Sequence, residues 1–226
     1  MGSRDKFFAS QVNVPLLKIG LTGGIASGKS AAGEMFVKLG AHLIQADAIA
    51  HWLMEPGRPV YAQVVQTFGQ DILNSDRTIN RSKLAEAAFG SGGSSSAPRV
   101  EELNAIVHPA VIRYENEWMD EIGARDPKAI AIVEAALILE AHTEDRFDYL
   151  IVVTCQPEQR VQRFARRHNL PDAAARAEVA RRMAAQIPDE EKIKAADFVI
   201  DNSGALAATE KQVQDVYSVL RGKNEG

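Results

Sequence analysis

Gly23, Gly28, Lys29 and Ser30 fall at the spacing G-x-x-x-x-G-K-[ST] within Gly23-Gly24-Ile25-Ala26-Ser27-Gly28-Lys29-Ser30. Each fixed position has a chemical reason. Glycines let the backbone wrap closely round an anion with its N–H groups turned inward. The start of a following helix adds unpaired donors and a favourable dipole. A lysine at position 29 can reach outer phosphates, and a serine hydroxyl at position 30 can ligate Mg²⁺. The segment Gly24, Ile25, Ala26, Ser27, Gly28, Lys29 and Ser30 is therefore the candidate cradle for ATP phosphates. Ala26 occupies a variable position and restricts the backbone slightly relative to glycine.

Phosphoryl transfer to a small molecule needs a carboxylate to orient or deprotonate the acceptor hydroxyl, and cations on the moving group. Asp47 in Ile44-Gln45-Ala46-Asp47 is the candidate carboxylate, with a helix N-cap as its structural alternative. Arg160, Arg163, Arg166, Arg167, Arg176, Arg181 and Arg182 cluster in one stretch, with the charged run Glu190-Glu191-Lys192-Ile193-Lys194 beyond. A solvated helix face accounts for several of them. A mobile lid that brings guanidinium groups onto phosphates accounts for others.

The elements that must position these groups read as alternating strands and helices. Leu16–Thr22 is a short apolar strand running into the glycines, and Gly28–Leu39 has helical spacing closed by Gly40. Ala41–Ile44 and Ala46–Glu55 form a second strand–helix unit, implying a right-handed parallel arrangement. Ligands of such sheets lie at the carboxyl ends of the strands, which puts Asp47 on the same edge as the glycine-rich loop. Arg58–Phe68 and Arg81–Phe89 are short amphipathic helices. Gly90–Pro98 is a flexible surface loop of low complexity. A helical segment then runs over Arg99–Ile122, with an interruption expected at His108-Pro109. Ala129–Val133 and Tyr149–Val153 are branched apolar runs suited to burial on both faces of a parallel sheet. Pro157–His168 and Asp172–Gln186 are helical, and Phe198–Ile200 is a last strand before a helix over Ala205–Leu220.

The expected fold is α/β: a three-layer αβα domain of the P-loop kinase type, with a five-stranded parallel sheet, a helical substrate-binding insert and a helical lid. Residues 1–226 form one domain. Its core covers about 15–55, 126–160 and 196–222, the insert about 56–125 and the lid about 161–195.

Composition narrows the function classes. The 226 residues are 46% hydrophobic and 25% charged, enough for one real core, and the net charge of −4 gives no reason to expect nucleic-acid or membrane-surface binding. The single cysteine, Cys155, permits no internal disulfide and reads as a packing residue at a strand end. Met1–Asn13 lacks a signal-peptide pattern, and no apolar run approaches the ~20 residues of a bilayer span. A cytoplasmic monomer is expected.

Beyond the phosphate loop, several segments carry a specific resemblance. They are Ala46-Asp47-Ala48-Ile49-Ala50, Glu55-Pro56-Gly57, Leu103-Asn104-Ala105-Ile106-Val107-His108-Pro109, Arg182-Met183-Ala184-Ala185-Gln186, and Ala196-Asp197-Phe198-Val199-Ile200-Asp201-Asn202-Ser203-Gly204. In order and spacing, from about Leu17 to Leu220, the chain resembles the dephospho-coenzyme A kinase family. The resemblance implies ATP and Mg²⁺, and transfer of the γ-phosphoryl group to the ribose 3′-hydroxyl of dephospho-CoA. It implies Asp47 as the catalytic aspartate, Arg163 and Arg182 near phosphates, and Asn202 where the family holds the adenine end of ATP. An Asn in a turn is otherwise a turn former. His108 and Pro109 fall on the His-Pro of the substrate domain, or mark a structural helix break. Arg81 and Glu140 complete the residues placed on the substrate side.

The sequence departs from the family pattern at four places. Gln45 replaces a second acidic residue, which leaves Asp47 to act alone; Ala136-Leu137-Ile138-Leu139-Glu140 replaces Pro-Leu-Leu-x-Glu. Arg77 stands where the turn usually has glycine, and Gly90–Ser96 is unusually rich in glycine and serine. The alternatives are another P-loop kinase of nucleosides, nucleotides or shikimate, or a nucleotide-binding protein without turnover. A GTPase is disfavoured because no Asn-Lys-x-Asp segment occurs.

Overall fold

A computed structural model describes residues 16–90 and 99–225. The low-complexity residues 91–98 and the segment Met1–Asn13 lie outside the described residues.

Strands β1 (Leu17–Thr22), β2 (His42–Gln45), β3 (Ile130–Glu134), β4 (Tyr149–Thr154) and β5 (Phe198–Asp201) form one sheet in the order β2-β3-β1-β4-β5. All pairings are parallel. The apolar runs explain the centre: every residue of β3 is buried, and Ile19, Leu21, Ile132 and Ile151 are wholly enclosed. Each such side chain contributes ~1.5–3 kcal/mol on leaving water.

Helix α1 (Lys29–Lys38) packs Ala32, Met35 and Phe36 on one face of the sheet beside Val213, Val216 and Leu220 of α9 (Leu206–Glu225). On the other face, Met119 and Ile122 of α5 (Val100–Arg125) cover Ala131 and Val133. Between them, α2 (Ala46–Leu53), α3 (Pro59–Phe68), α4 (Arg81–Phe89) and the amino-terminal half of α5 enclose a separate apolar cluster centred on Val64, Ile72 and Leu84. A third small core joins α6 (Pro157–His168) to α7 (Asp172–Ala184) through Val161, Phe164, Ala175 and Val179. It touches Ile25 and Ala26 of the glycine-rich loop. Helix α8 (Asp189–Ala195) follows and leads into β5.

One expectation is corrected. Helix α5 is continuous through Pro109 and is not interrupted at His108-Pro109. Proline removes one backbone donor and crowds the preceding turn. Packing of Val107, Val111 and Met119 on two cores holds the helix together across that defect.

Candidate active site

The phosphate loop links β1 to α1. Gly28, the residue before α1, has φ +100, and the helix start carries neither a side-chain cap nor an acidic first-turn residue. Its first amides therefore remain available to an anion. A Cβ on Gly28 would lie 2.0 Å from Asn202 Nδ2, so only glycine fits both the backbone and the space. Lys29 Nζ donates to the carbonyls of Gly23 at 2.9 Å and Gly24 at 3.4 Å. Burial pushes the Lys29 ammonium below its ordinary pKa; nearby Glu134 and Asp47 pull it up, and Lys192 and Arg160 push it further down.

Two predicted residues converge behind the loop. The Ser27 carbonyl accepts from Asn202 Nδ2 at 2.9 Å and from Arg163 Nη1 at 3.1 Å. Arg163 Nη2 donates to the Asn202 carbonyl at 2.8 Å, and Asn202 Oδ1 accepts from the Thr209 hydroxyl at 3.0 Å. Both polar ends of the buried Asn202 side chain are thus engaged inside the protein. These contacts fix the curve of the loop.

A carboxylate that sequence reasoning missed faces Ser30. Glu134 closes β3 and is 8% exposed. It accepts from Ser30 Oγ at 2.7 Å and from Gln45 Nε2 at 3.0 Å. The register pairs Gln45 with Glu134 across β2 and β3, which brings the amide to the acid. Glu134 is thus a second carboxylate at the edge of the phosphate loop, in contact with Ser30 and Gln45. The available signal was an ionisable residue ending a wholly apolar strand at the ligand edge of the sheet.

Asp47 is the second residue of α2, and Gln45 takes the N-cap position, so Asp47 is not the cap. It is exposed, and its carboxylate has no hydrogen-bond partner among the described residues. It lines a cavity of about 470 Å³ between α2, α5 and the turn after β3, together with Ala50, Asn104, His108, Ala136 and Ile138. At its floor Arg146 meets Glu115 at 2.8 Å, and burial raises the Glu115 pKa against the pull of that arginine.

The remaining predicted residues are spread around this centre. His108 and Pro109 are exposed on the cavity rim. Arg81 lines a neighbouring cavity of about 480 Å³ with His51, Glu55 and Phe89; both cavities share Met54 and Leu103. Burial lowers the His51 pKa, helped by Arg81 and opposed by Asp47. Glu140 lies outside both cavities, paired with Lys192 at 2.7 Å and accepting from the Ile187 amide at 3.2 Å. Arg182 is not brought to the loop: it donates to Glu178 at 2.6 Å and sits over Phe164. Hydrogen bonds from Arg181 and Arg182 hold Glu178 down at about 2.

With this geometry in place, comparison with known proteins decides the family. The family model described as CoaE, dephospho-CoA kinase, matches residues 17–208. The chain belongs to the dephospho-CoA kinase family. A dephospho-CoA kinase of Corynebacterium efficiens is 40% identical over 191 residues, covering 84% of this chain and 90% of that protein. One from Aquifex aeolicus is 38% identical over 203 residues, covering 90% and 97%. Among solved structures, TT1252 from Thermus thermophilus superposes with a TM-score of 0.72 at 30% identity, covering 91% of this chain and 98% of that one. Dephospho-CoA kinase from Campylobacter jejuni shares the fold, with a TM-score of 0.55 over 90% and 96% of the two chains at 24% identity. Within the dephospho-CoA kinase framework, no helix among the described residues is long and apolar enough to cross a membrane.

Proposed function

We propose that the chain transfers the γ-phosphoryl group of ATP to the ribose 3′-hydroxyl of dephospho-CoA, giving coenzyme A and ADP in the last step of coenzyme A synthesis. The observation that carries this reading is the placement of Asp47. It is unpartnered, lies on the wall of an apolar cavity, and is close enough to Lys29 to act on its charge.

Backbone amides of Gly24–Ser30 hold the triphosphate, with Lys29 exchanging the Gly23 and Gly24 carbonyls for phosphate oxygens. The Ser30 hydroxyl and the Glu134 carboxylate are the hard oxygen donors suited to Mg²⁺. Among the described residues there is no cluster of three or more His, Cys, Asp or Glu side chains able to hold an ion, which suits a metal bound partly through substrate phosphates. When bound, Mg²⁺ supplies charge neutralisation at the transferring group. Asn202 and Arg163 act by bracing Ser27. Dephospho-CoA occupies the cavity between core and insert, with His108, Pro109 and Arg81 at its edges. Asp47 orients the 3′-hydroxyl and takes its proton late, because the transition state is loose. Glu140 anchors Lys192, and Arg182 reaches phosphate only after leaving Glu178.

The test is ADP release from ATP with dephospho-CoA as acceptor, comparing the intact chain with Asp47→Asn. Dephospho-CoA-dependent turnover that falls ~10²–10⁴-fold in the variant supports both reaction and role. Persistent activity in the variant keeps the reaction and removes Asp47 from it. ATP binding without dephospho-CoA-dependent turnover overturns the acceptor.

A further inference from the structure

Arg160 is the largest fully buried side chain among the described residues, although arginine is among the costliest residues to bury. It is the fourth residue of α6, directly against the phosphate loop. A Cβ added to Gly24 would come within 1.8 Å of Arg160 Nη1, so the guanidinium occupies the space that a side chain at position 24 would need. Its Nη2 is paired with Asp189, the first residue of α8. Its Nη1 and Nε are buried and have no hydrogen-bond partner among the described residues.

A buried charge is tolerated when its donors are satisfied, and a donor left unpaired carries its full desolvation penalty. Asp189 satisfies one edge of the fork only. A second buried cation, Lys192, stands three residues further along α8, held by Glu140 at 2.7 Å and Gln186 at 3.3 Å. Both cations push the Lys29 pKa down, less strongly than Glu134 and Asp47 pull it up.

We infer that Arg160 is a further nucleotide-binding residue, whose free Nη1 donates to a phosphate oxygen of ATP at Gly24 while Nη2 keeps Asp189. The inference rests on the reading of Gly24–Ser30 as the ATP site. It gives α8 a function, because the guanidinium then ties the start of that helix to the nucleotide. Arginine suits the task better than lysine, since its planar fork can serve a phosphate and a carboxylate at once.

The experiment is calorimetric titration of the intact chain with ATP, ADP and AMP, beside Arg160→Gln. The expected result is an approximately tenfold loss of affinity for ATP and ADP, with AMP affinity unchanged within about twofold. Equal loss for all three nucleotides, or no loss, overturns the inference. Failure of the intact chain to bind ATP sinks the reading of the loop itself, which keeps the two failures apart. Should Arg160→Gln not fold, Asp189→Asn serves instead. That variant leaves the cation without its carboxylate, so saturating ATP raises its melting temperature by more than it raises that of the intact chain. An equal or smaller rise means that Arg160 is only a partner for Asp189.

Discussion

Replacing Asn202 by alanine separates two ways in which this residue could serve ATP. An asparagine that reads adenine must present a free amide to the base. Here Nδ2 donates to the Ser27 carbonyl at 2.9 Å and Oδ1 accepts from Thr209 at 3.0 Å. Removing the side chain affects those partners unequally. Ser27 keeps a second donor in Arg163 Nη1 at 3.1 Å, so its loss is that of one hydrogen bond, ~1 kcal/mol. Thr209 is 1% exposed, and its hydroxyl loses the partner recorded for it, at a cost of ~1–3 kcal/mol. The expected destabilisation is therefore ~2–4 kcal/mol. Adding Thr209→Val removes the orphaned hydroxyl and recovers part of it, because replacing both partners costs less than replacing one.

Two assays check this. Urea denaturation followed by circular dichroism gives the stability change for Asn202→Ala and for the double variant. Steady-state kinetics with ATP and GTP gives the effect on the nucleotide. If Asn202 acts by holding the loop, KM rises by the same factor for both nucleotides and their ratio is unchanged. A collapse of the ATP-to-GTP preference with stability intact would refute the reasoning and return Asn202 to base recognition.

Two further predictions follow from the same geometry. Lys29→Met abolishes ATP binding yet makes the ligand-free chain more stable by urea denaturation near neutral pH, since burial holds the Lys29 pKa below its ordinary 10.5. The sign is fixed by proton counting. Below the folded pKa both states are protonated and the burial penalty is present in full. Between the folded pKa and 10.5 the unfolded chain holds more protons, so wild-type stability rises with pH and the advantage of the variant shrinks; an advantage that grows with pH would be the wrong sign. Arg77→Gly concerns the exposed turn in which Arg77 has φ +67. Relief of left-handed strain, ~1–2 kcal/mol, exceeds the ~0.5–1 kcal/mol of added chain entropy. The variant should gain up to ~1.5 kcal/mol in the same denaturation assay with kinetics unchanged, and a net loss would contradict the strain argument.

What the sequence made legible was what short-range chemistry encodes. The five strands, the phosphate loop and α1 follow from apolar runs punctuated by glycine, and their bounds shift by only a residue or two. Pro109 misled because a local rule about helix breaking competes with packing on two cores, and packing decides. Arg160 was hidden among seven arginines of one charged stretch, all of which invite the same reading from composition. Helical position sorts them. Arg160, Val161 and Phe164 face inward, Arg163 reaches the loop, and Arg166 and Arg167 are exposed. Glu140 and Lys192 meet although far apart in sequence, and no periodicity within either segment carries that contact.

The exchange of an acid for Gln45 also has a physical account once register is known. Alone, it reads as the loss of half a carboxylate pair. In the sheet, Gln45 stands opposite Glu134, and its Nε2 lies 3.0 Å from a carboxylate oxygen that is largely shut off from water. A second carboxylate there would face the first across that distance, and one of the two would have to hold a proton. The amide avoids this conflict by donating to one Glu134 oxygen, while the other accepts from Ser30 Oγ. Glu134 on β3 thus carries negative charge beside the phosphate loop, while Asp47 lines the cavity wall. A change that weakens the site when read along the chain gives Glu134 a hydrogen-bond donor when read across the sheet.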